Sequence, residues 1–287
     1  MLCLLYSTGC AISTQPGGKQ PSGAAAAYIQ NKGSDTLVNL ALAWAETYQN
    51  QHPDVEISVT GGGSGTGFTA LINGTVDIAN ASRQIKAEEI QQAKDKGFEP
   101  VEFTVANDAI AVIVNPSNPV SRLTLQQVSE IYQGLINNWQ EVGGEDRPIV
   151  RISRETNSGT HVYFLESVIR QGNSKSKALF SMDTLLLPSS EGIIAEVRDN
   201  PNAIGYDGLG YVTHEVKMIA LAKEFGSPYV LPSAATVTDK TYPISRGLYM
   251  YTHGQPTSAV KDYLDWILSA EAQKITNELG FVALVKP

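Results

Sequence analysis

Three stretches set small hydroxyl residues and glycine directly in front of an apolar helical pattern. They are Gly33-Ser34-Asp35-Thr36 before "LVNLALAW", Gly61 to Gly67 ("GGGSGTG") before Phe68, and Ser158-Gly159-Thr160 in "SRETNSGTH". The first N–H groups of a helix lack intrahelical partners, and the helix dipole adds roughly half a positive charge there. Glycine lets an anion approach the backbone, and serine and threonine add hydroxyl donors. An ordinary N-cap explains one such junction; three invite a common ligand. Arg154, at the end of "IVRIS", adds a guanidinium that can fork two donors onto an oxyanion. Ser82-Arg83 follows the short strand "VDIA" in the same way. In open α/β sheets ligands sit beyond the carboxyl ends of strands, where all four segments fall. Together they outline a seat for a small tetrahedral oxyanion.

Other chemistries fit poorly. In "GGGSGTG", Phe68 stands where a phosphate-binding P-loop needs lysine. Gly65-x-Gly67-x-x-Ala70 meets a relaxed dinucleotide fingerprint, but no acidic residue sits at a following strand end. The four histidines, His52, His161, His214 and His253, lack metal-ligand spacing, and no Gly-x-Ser-x-Gly nucleophile elbow is present. His161, beside Thr160, is the one candidate base. No catalytic residue, metal or cofactor is therefore assigned.

The elements that must position these residues alternate between strand and helix, an α/β pattern. Helical spacing runs from Leu37 to Tyr48 and stops near Pro53. "VEISVT" alternates as a half-buried strand, and "IAVIVN" (110–115) reads as a strand buried on both faces. A short helix carries Phe68, Leu71 and Ile72. Thr124 caps a helix ending at Gly134, and further helices are expected over 160–171 and 258–278. "IVRIS" (149–153) and "LYMYT" (248–252) read as strands. The 287 residues, 42% hydrophobic, suffice for one large domain or two lobes. The net charge of −8 argues against nucleic acid or an anionic membrane surface as partner. No run of ~18 apolar residues suggests a membrane span. Both cysteines, Cys3 and Cys10, lie at the start. There a short apolar stretch, Ser7-Thr8-Gly9-Cys10 and a Ser/Gly/Pro/Gln-rich tract resemble a bacterial lipobox, with Cys10 as the lipidated residue. Residues 1–27 read as signal and flexible linker, so the body is expected outside the cytoplasm, lipid-anchored or released.

Taken together, "GSDT…AWAETYQNQHPDV", "VTGGGSGTGFTALINGTVDIANASR", "NPVSRLTLQQVSEIYQGLINNWQEVGG", "RISRETNSGTHVYF" and "AIGYDGLGY" resemble the phosphate-binding proteins, the extracytoplasmic receptors of bacterial phosphate ABC importers. The resemblance runs from about residue 30 to the C-terminus. It implies a two-lobed periplasmic-binding-protein type II fold, α/β, with two crossings between lobes and the ligand in the cleft. Lobe one would be 28–105 plus 244–287 and lobe two 106–243, the chain crossing near "TVAND" and "YPISR". It implies a monomer that closes on inorganic phosphate and delivers it to a membrane permease. Carried over position by position, the family's contacts fall on Ser34, Asp35, Thr36, Ser64, Arg154, Ser158, Gly159 and Thr160. Arg83 stands where some members place an aspartate that accepts the proton of hydrogen phosphate. That role would pass to another carboxylate: Asp35 first, then Asp77, with Glu155 and Asp207 behind. A receptor for sulfate, molybdate or arsenate, or a secreted phosphatase, are the alternatives.

Overall fold

A computed structural model describes residues 27–284; the Cys10 expectation lies outside them. In chain order the elements are β1 (Ala27–Gly33), α1 (Val38–Gln51), β2 (Val55–Thr60), α2 (Ser64–Ile72), β3 (Ile78–Ala81), α3 (Ala87–Asp95), β4 (Pro100–Val114), β5 (Arg122–Thr124), α4 (Leu125–Tyr132), β6 (Val150–Arg154), α5 (Gly159–Phe164), β7 (Leu185–Leu187), α6 (Ser190–Asp199), β8 (Ala203–Gly208), β9 (Lys217–Met218), β10 (Ala220–Ala222), α7 (Ala234–Thr238), β11 (Ser245–His253), α8 (Ser258–Ile267) and α9 (Ala270–Glu278). Among the described residues no helix is long and apolar enough to cross a membrane.

The main sheet runs β2-β1-β3-β11-β4-β8-β6-β7, with β9 against β4, and β5 pairs β10 separately. β1, β2 and β3 are parallel, as are β8, β6 and β7. Two antiparallel strands join these parallel sets. β4, about 50 Å long at a strand's usual rise, pairs β11 along residues 100–109 and β8 along 110–114. The 110–115 apolar run is thus the tail of β4, and Ile110 to Val114 are fully buried. β11 starts at Ser245 and runs back to β3.

The apolar core falls into clusters, and the one around α1 continues into the second half through Ile113, Ile152 and Ile193. Leu37, Leu40, Ala41 and Trp44 of the first helical segment pack with Tyr263, Leu264 and Ile267 of α8. Trp44 Nε1 donates to the Ala272 carbonyl, which satisfies the indole in its buried setting. In the other half Tyr132, Trp139, Phe164 and Tyr206 cluster, with Phe164 and Tyr206 stacked 3.6 Å apart.

Three elements depart from the sequence reading. The helix expected over 258–278 is two helices, because Ser269 Oγ accepts from the Ala272 amide and caps a new start. The helix expected over 160–171 is α5 followed by one wide turn, Leu165–Ile169. β1 was not read as a strand. Ile29 is its one large buried apolar side chain, and its inner face also carries Asn31. It nevertheless lies at the centre of its parallel set.

Candidate functional site

The carboxyl ends of β1, β3, β6 and β8 meet where β4 and β11 cross. Ser34 follows β1, and a tight turn over Asp35–Leu37 leads into α1. Ser64 opens α2 after Gly62 and Gly63, whose φ angles of +117° and +92° only glycine adopts readily. Ser158 is the N-cap of α5 and accepts from the Thr160 and His161 amides; Gly159 and Thr160 form its first turn. Each junction is therefore an N-terminus aimed at a common centre.

The hydroxyls meet there. Ser34 Oγ donates to Ser82 Oγ at 2.9 Å, and Ser64 Oγ accepts from the Ser82 amide at 3.0 Å. Across the halves, Thr36 Oγ1 and Thr160 Oγ1 are 2.8 Å apart. A Cβ on Gly159 would stand 2.3 Å from Ser64 Oγ and 2.6 Å from Ser82 Oγ, so α5 begins in direct contact with the facing serines. Next to this contact, the Gly65 amide donates to the Asn157 carbonyl at 3.0 Å, and Asn157 Nδ2 donates to the Gly62 carbonyl at 3.0 Å. Ser34, Thr36, Ser64, Ser82, Ser158 and Thr160 are all buried.

Two arginines flank the hydroxyls. Arg154 at the end of β6 donates to Ser190 Oγ at 2.9 Å and to the Pro188 carbonyl at 2.8 Å, and its Nη2 is 3.1 Å from Asp35 Oδ2. Asp35 Oδ2 also accepts the Ser190 amide at 2.9 Å, so its carboxylate ties the start of α6 to the turn before α1. Arg246 on β11 was not singled out from the sequence. It donates to Thr160 Oγ1 at 3.0 Å, to the Ser82 carbonyl at 2.9 Å and to Asp108 Oδ2 at 3.0 Å. Its segment, "YPISR", was read only as a crossing; an arginine entering a crossing strand beside the strand ends was the available signal. Asp108 is wholly buried on β4, and burial raises its pKa while Arg246 and the Leu209 amide pull it down.

Arg83 is not among the clustered groups. Its guanidinium forks onto Glu89 at 2.8 and 2.6 Å, donates to the Gln84 carbonyl, and lies over the Phe68 ring. The serine of the Ser82-Arg83 pair, not the arginine, joins the hydroxyls. Arg83 instead lines, with Arg246, Tyr163 and Tyr249, a cavity of about 500 Å³ between the halves.

The carboxylates considered as proton acceptors separate clearly. Asp77 is half-buried and accepts from the Gln30 amide at 2.8 Å, and Glu155 is exposed. Asp35 is engaged by Arg154. Asp207 is wholly buried at the end of β8; burial pushes its pKa up to about 6 against the opposing pull of Arg154. His161 packs: it stacks on Phe180, its Nδ1 lies 3.1 Å from Ser153 Oγ, and burial lowers its pKa.

The geometry thus offers converging N–H and O–H donors from two halves of one sheet. Its arginines are already offset by Asp35 and Asp108, so neutral donors and helix ends supply much of the attraction for an anion.

Comparison with known proteins gives a consistent picture. The model of the PBP superfamily domain matches residues 18–271. The chain is 33% identical over 273 residues to the phosphate-binding protein PstS of Pseudomonas aeruginosa, covering 89% of this chain and 83% of that one. It is 32% identical over 251 residues to PstS of Bacillus subtilis, covering 87% and 78%. A structure from Clostridium perfringens, solved as a phosphate ABC transporter substrate-binding protein with bound phosphate, superposes with a TM-score of 0.80 at 32% identity, covering 90% of this chain and all of that one.

Proposed function

The chain belongs to the PstS phosphate-binding family, with its two-lobed α/β fold, and on that premise we propose that it captures inorganic phosphate for an ABC importer by closing its two lobes on the anion. The observation that carries this reading is the meeting of Ser34, Thr36, Ser64 and Ser82 with Ser158, Gly159, Thr160 and Arg154 across the halves. Lobe one is 28–105 plus 244–287, and lobe two is 106–243.

Phosphate binds as the bridge. Its oxygens accept from the helix-start amides and hydroxyls of both lobes, and Arg154 and Arg246 brace the donors from behind. Hydrogen bonds to a charged partner contribute about 1.5–3 kcal/mol each. Several act only when both lobes contribute, so the ligand favours the closed arrangement by its differential affinity for it. The closed form is what the permease reads. Asp35 positions Arg154 and the start of α6 rather than touching the ligand as a donor. Arg83 is a structural partner of Glu89.

The protein acts as an exported monomeric receptor, not an enzyme, held to the membrane through Cys10. Cys10→Ser should then release it from the membrane fraction. Equilibrium dialysis against radiolabelled phosphate tests the binding, with a chromogenic phosphate monoester as parallel substrate. One retained phosphate per chain and no hydrolysis are expected. Turnover of the ester would overturn the receptor reading in favour of a hydrolase.

A further inference from the structure

The glycine-rich loop before α2 has a partner other than the anion. α2 begins without a side-chain cap of its own, because its N-cap is Gly63. The Gly65 amide, one of the donors a helix start leaves over, donates instead to the Asn157 carbonyl at 3.0 Å. Asn157 belongs to the other lobe, so α2 is capped from across the cleft. The Asn157 side chain adds a second bond: its Nδ2 donates to the Gly62 carbonyl at 3.0 Å. Thr66 Oγ1 donates to the Gly63 carbonyl at 2.6 Å and braces the loop from inside its own lobe. The glycines make room for this partner. A Cβ on Gly63 would stand 2.7 Å from the Asn157 carbonyl oxygen, and one on Gly65 would stand 3.3 Å from it.

The contact closes the rim of the cage. Gly63 directly precedes Ser64, and Asn157 directly precedes Ser158. Gly62 and Asn157 are exposed, while the two serines behind them are buried. The loop follows β2, the edge strand of the main sheet, and β1 and β3 stand between it and the crossing strand β11. Three strand spacings amount to about 14 Å, so a hinge rotation at the crossing parts this contact further than those nearer the hinge. Resting on the phosphate reading, we propose that Asn157 is a clasp: it holds the rim shut from lobe two and sets how long phosphate stays, with its side-chain donor committed to Gly62 rather than to the anion. Both bonds cross the cleft, so water replaces them when the lobes part. Association starts from parted lobes and does not sense them. Dissociation must break them before the anion leaves. Changes at such a contact act mainly on the dissociation rate.

The test loads the whole protein with radiolabelled phosphate and chases it with an excess of unlabelled phosphate, while rapid mixing gives the association rate. Asn157→Ala removes the bond to Gly62 at an exposed position and keeps the main-chain cap of α2. Dissociation should quicken roughly 2- to 10-fold, the worth of one net hydrogen bond, with association and the unliganded melting temperature unchanged. Quickening of less than about twofold overturns the inference, as does a loss of affinity carried by the association rate. A lowered melting temperature without phosphate also overturns it, since Asn157 would then support lobe two rather than the closed rim. Hydrogen exchange in wild type gives a check that needs no variant: the Gly65 amide should exchange about tenfold or more slowly with phosphate bound than without. Equal exchange in the two states overturns the cap across the cleft. Failure of wild type to retain phosphate is a different outcome: it refutes the phosphate reading itself.

Discussion

Gly159→Ala isolates lobe closure from folding. A Cβ there would stand 2.3 Å from Ser64 Oγ, 2.6 Å from Ser82 Oγ and 3.0 Å from Ser64 Cβ, whereas ordinary contact begins near 3.4 Å. All three atoms belong to lobe one, and Gly159 belongs to lobe two. The methyl therefore collides only when the lobes meet, and relief requires them to part by about 1 Å. The Thr36–Thr160 contact, now 2.8 Å, and bonds that a ligand makes to both lobes would then exceed hydrogen-bonding distance. Losing two charge-assisted bonds removes about 3–6 kcal/mol. Phosphate affinity should fall roughly 10²- to 10⁴-fold. The unliganded protein should be as stable as wild type or slightly more so, since alanine is the better helix former by up to ~1 kcal/mol. Calorimetric titration and thermal melts with and without phosphate measure both quantities. Affinity within about fivefold of wild type would refute the closure geometry. A large loss of unliganded stability would show instead that the contact belongs to one rigid fold.

Other perturbations sort the charged groups. Arg154→Ala removes the donor to Ser190 and Pro188 and the partner of Asp35; phosphate affinity should fall about 10²-fold or more with the fold retained, and unchanged affinity in titration would remove Arg154 from the site. Arg83→Ala should change affinity by less than about threefold, while loss of the Glu89 pair lowers stability by about 1–2 kcal/mol; a tenfold loss of affinity would return Arg83 to the cage. Stability should also respond to Asp207. Its folded pKa of about 6 lies above the ordinary carboxylate value, so its contribution is fully present below about pH 4 and is lost as pH rises through 6. The difference amounts to about 3 kcal/mol at most. Asp207→Asn should therefore gain stability relative to wild type at pH 8 and lose that advantage by pH 4 in thermal melts, and a pH-independent difference would contradict the assignment.

What was legible in the sequence was local. Ser34, Ser64 and Ser158 to Thr160 stand at strand-to-helix junctions, and their role as helix starts coincides with their place in the site, so a few residues of context reveal both. Arg154 was visible for the same reason, as the last residue of a strand. Arg246, Asp108 and Ser190 were not assigned roles, and Asp207 stood behind Asp35 and Asp77 among the candidate acceptors, because only the crossing of β4 and β11 brings them to the centre. Arg246 and Asp108 are 138 positions apart in the chain. Arg83 misled because a strand-end position fixes where a residue starts, not where a long side chain goes; Glu89, six residues on, captures it. β1 escaped the periodic reading because Asn31 occupies a buried position of its inner face, its amide without a partner. The break between α8 and α9 depends on one serine cap within an otherwise continuous helical pattern.

Capture of phosphate by the closed cage is the step on which the receptor function rests. The most direct test is calorimetric titration of the anion-stripped protein with phosphate, then with sulfate, near neutral pH. Saturable heat is expected at one phosphate per chain, and none from sulfate at the same concentrations. Absence of heat from phosphate would contradict that capture.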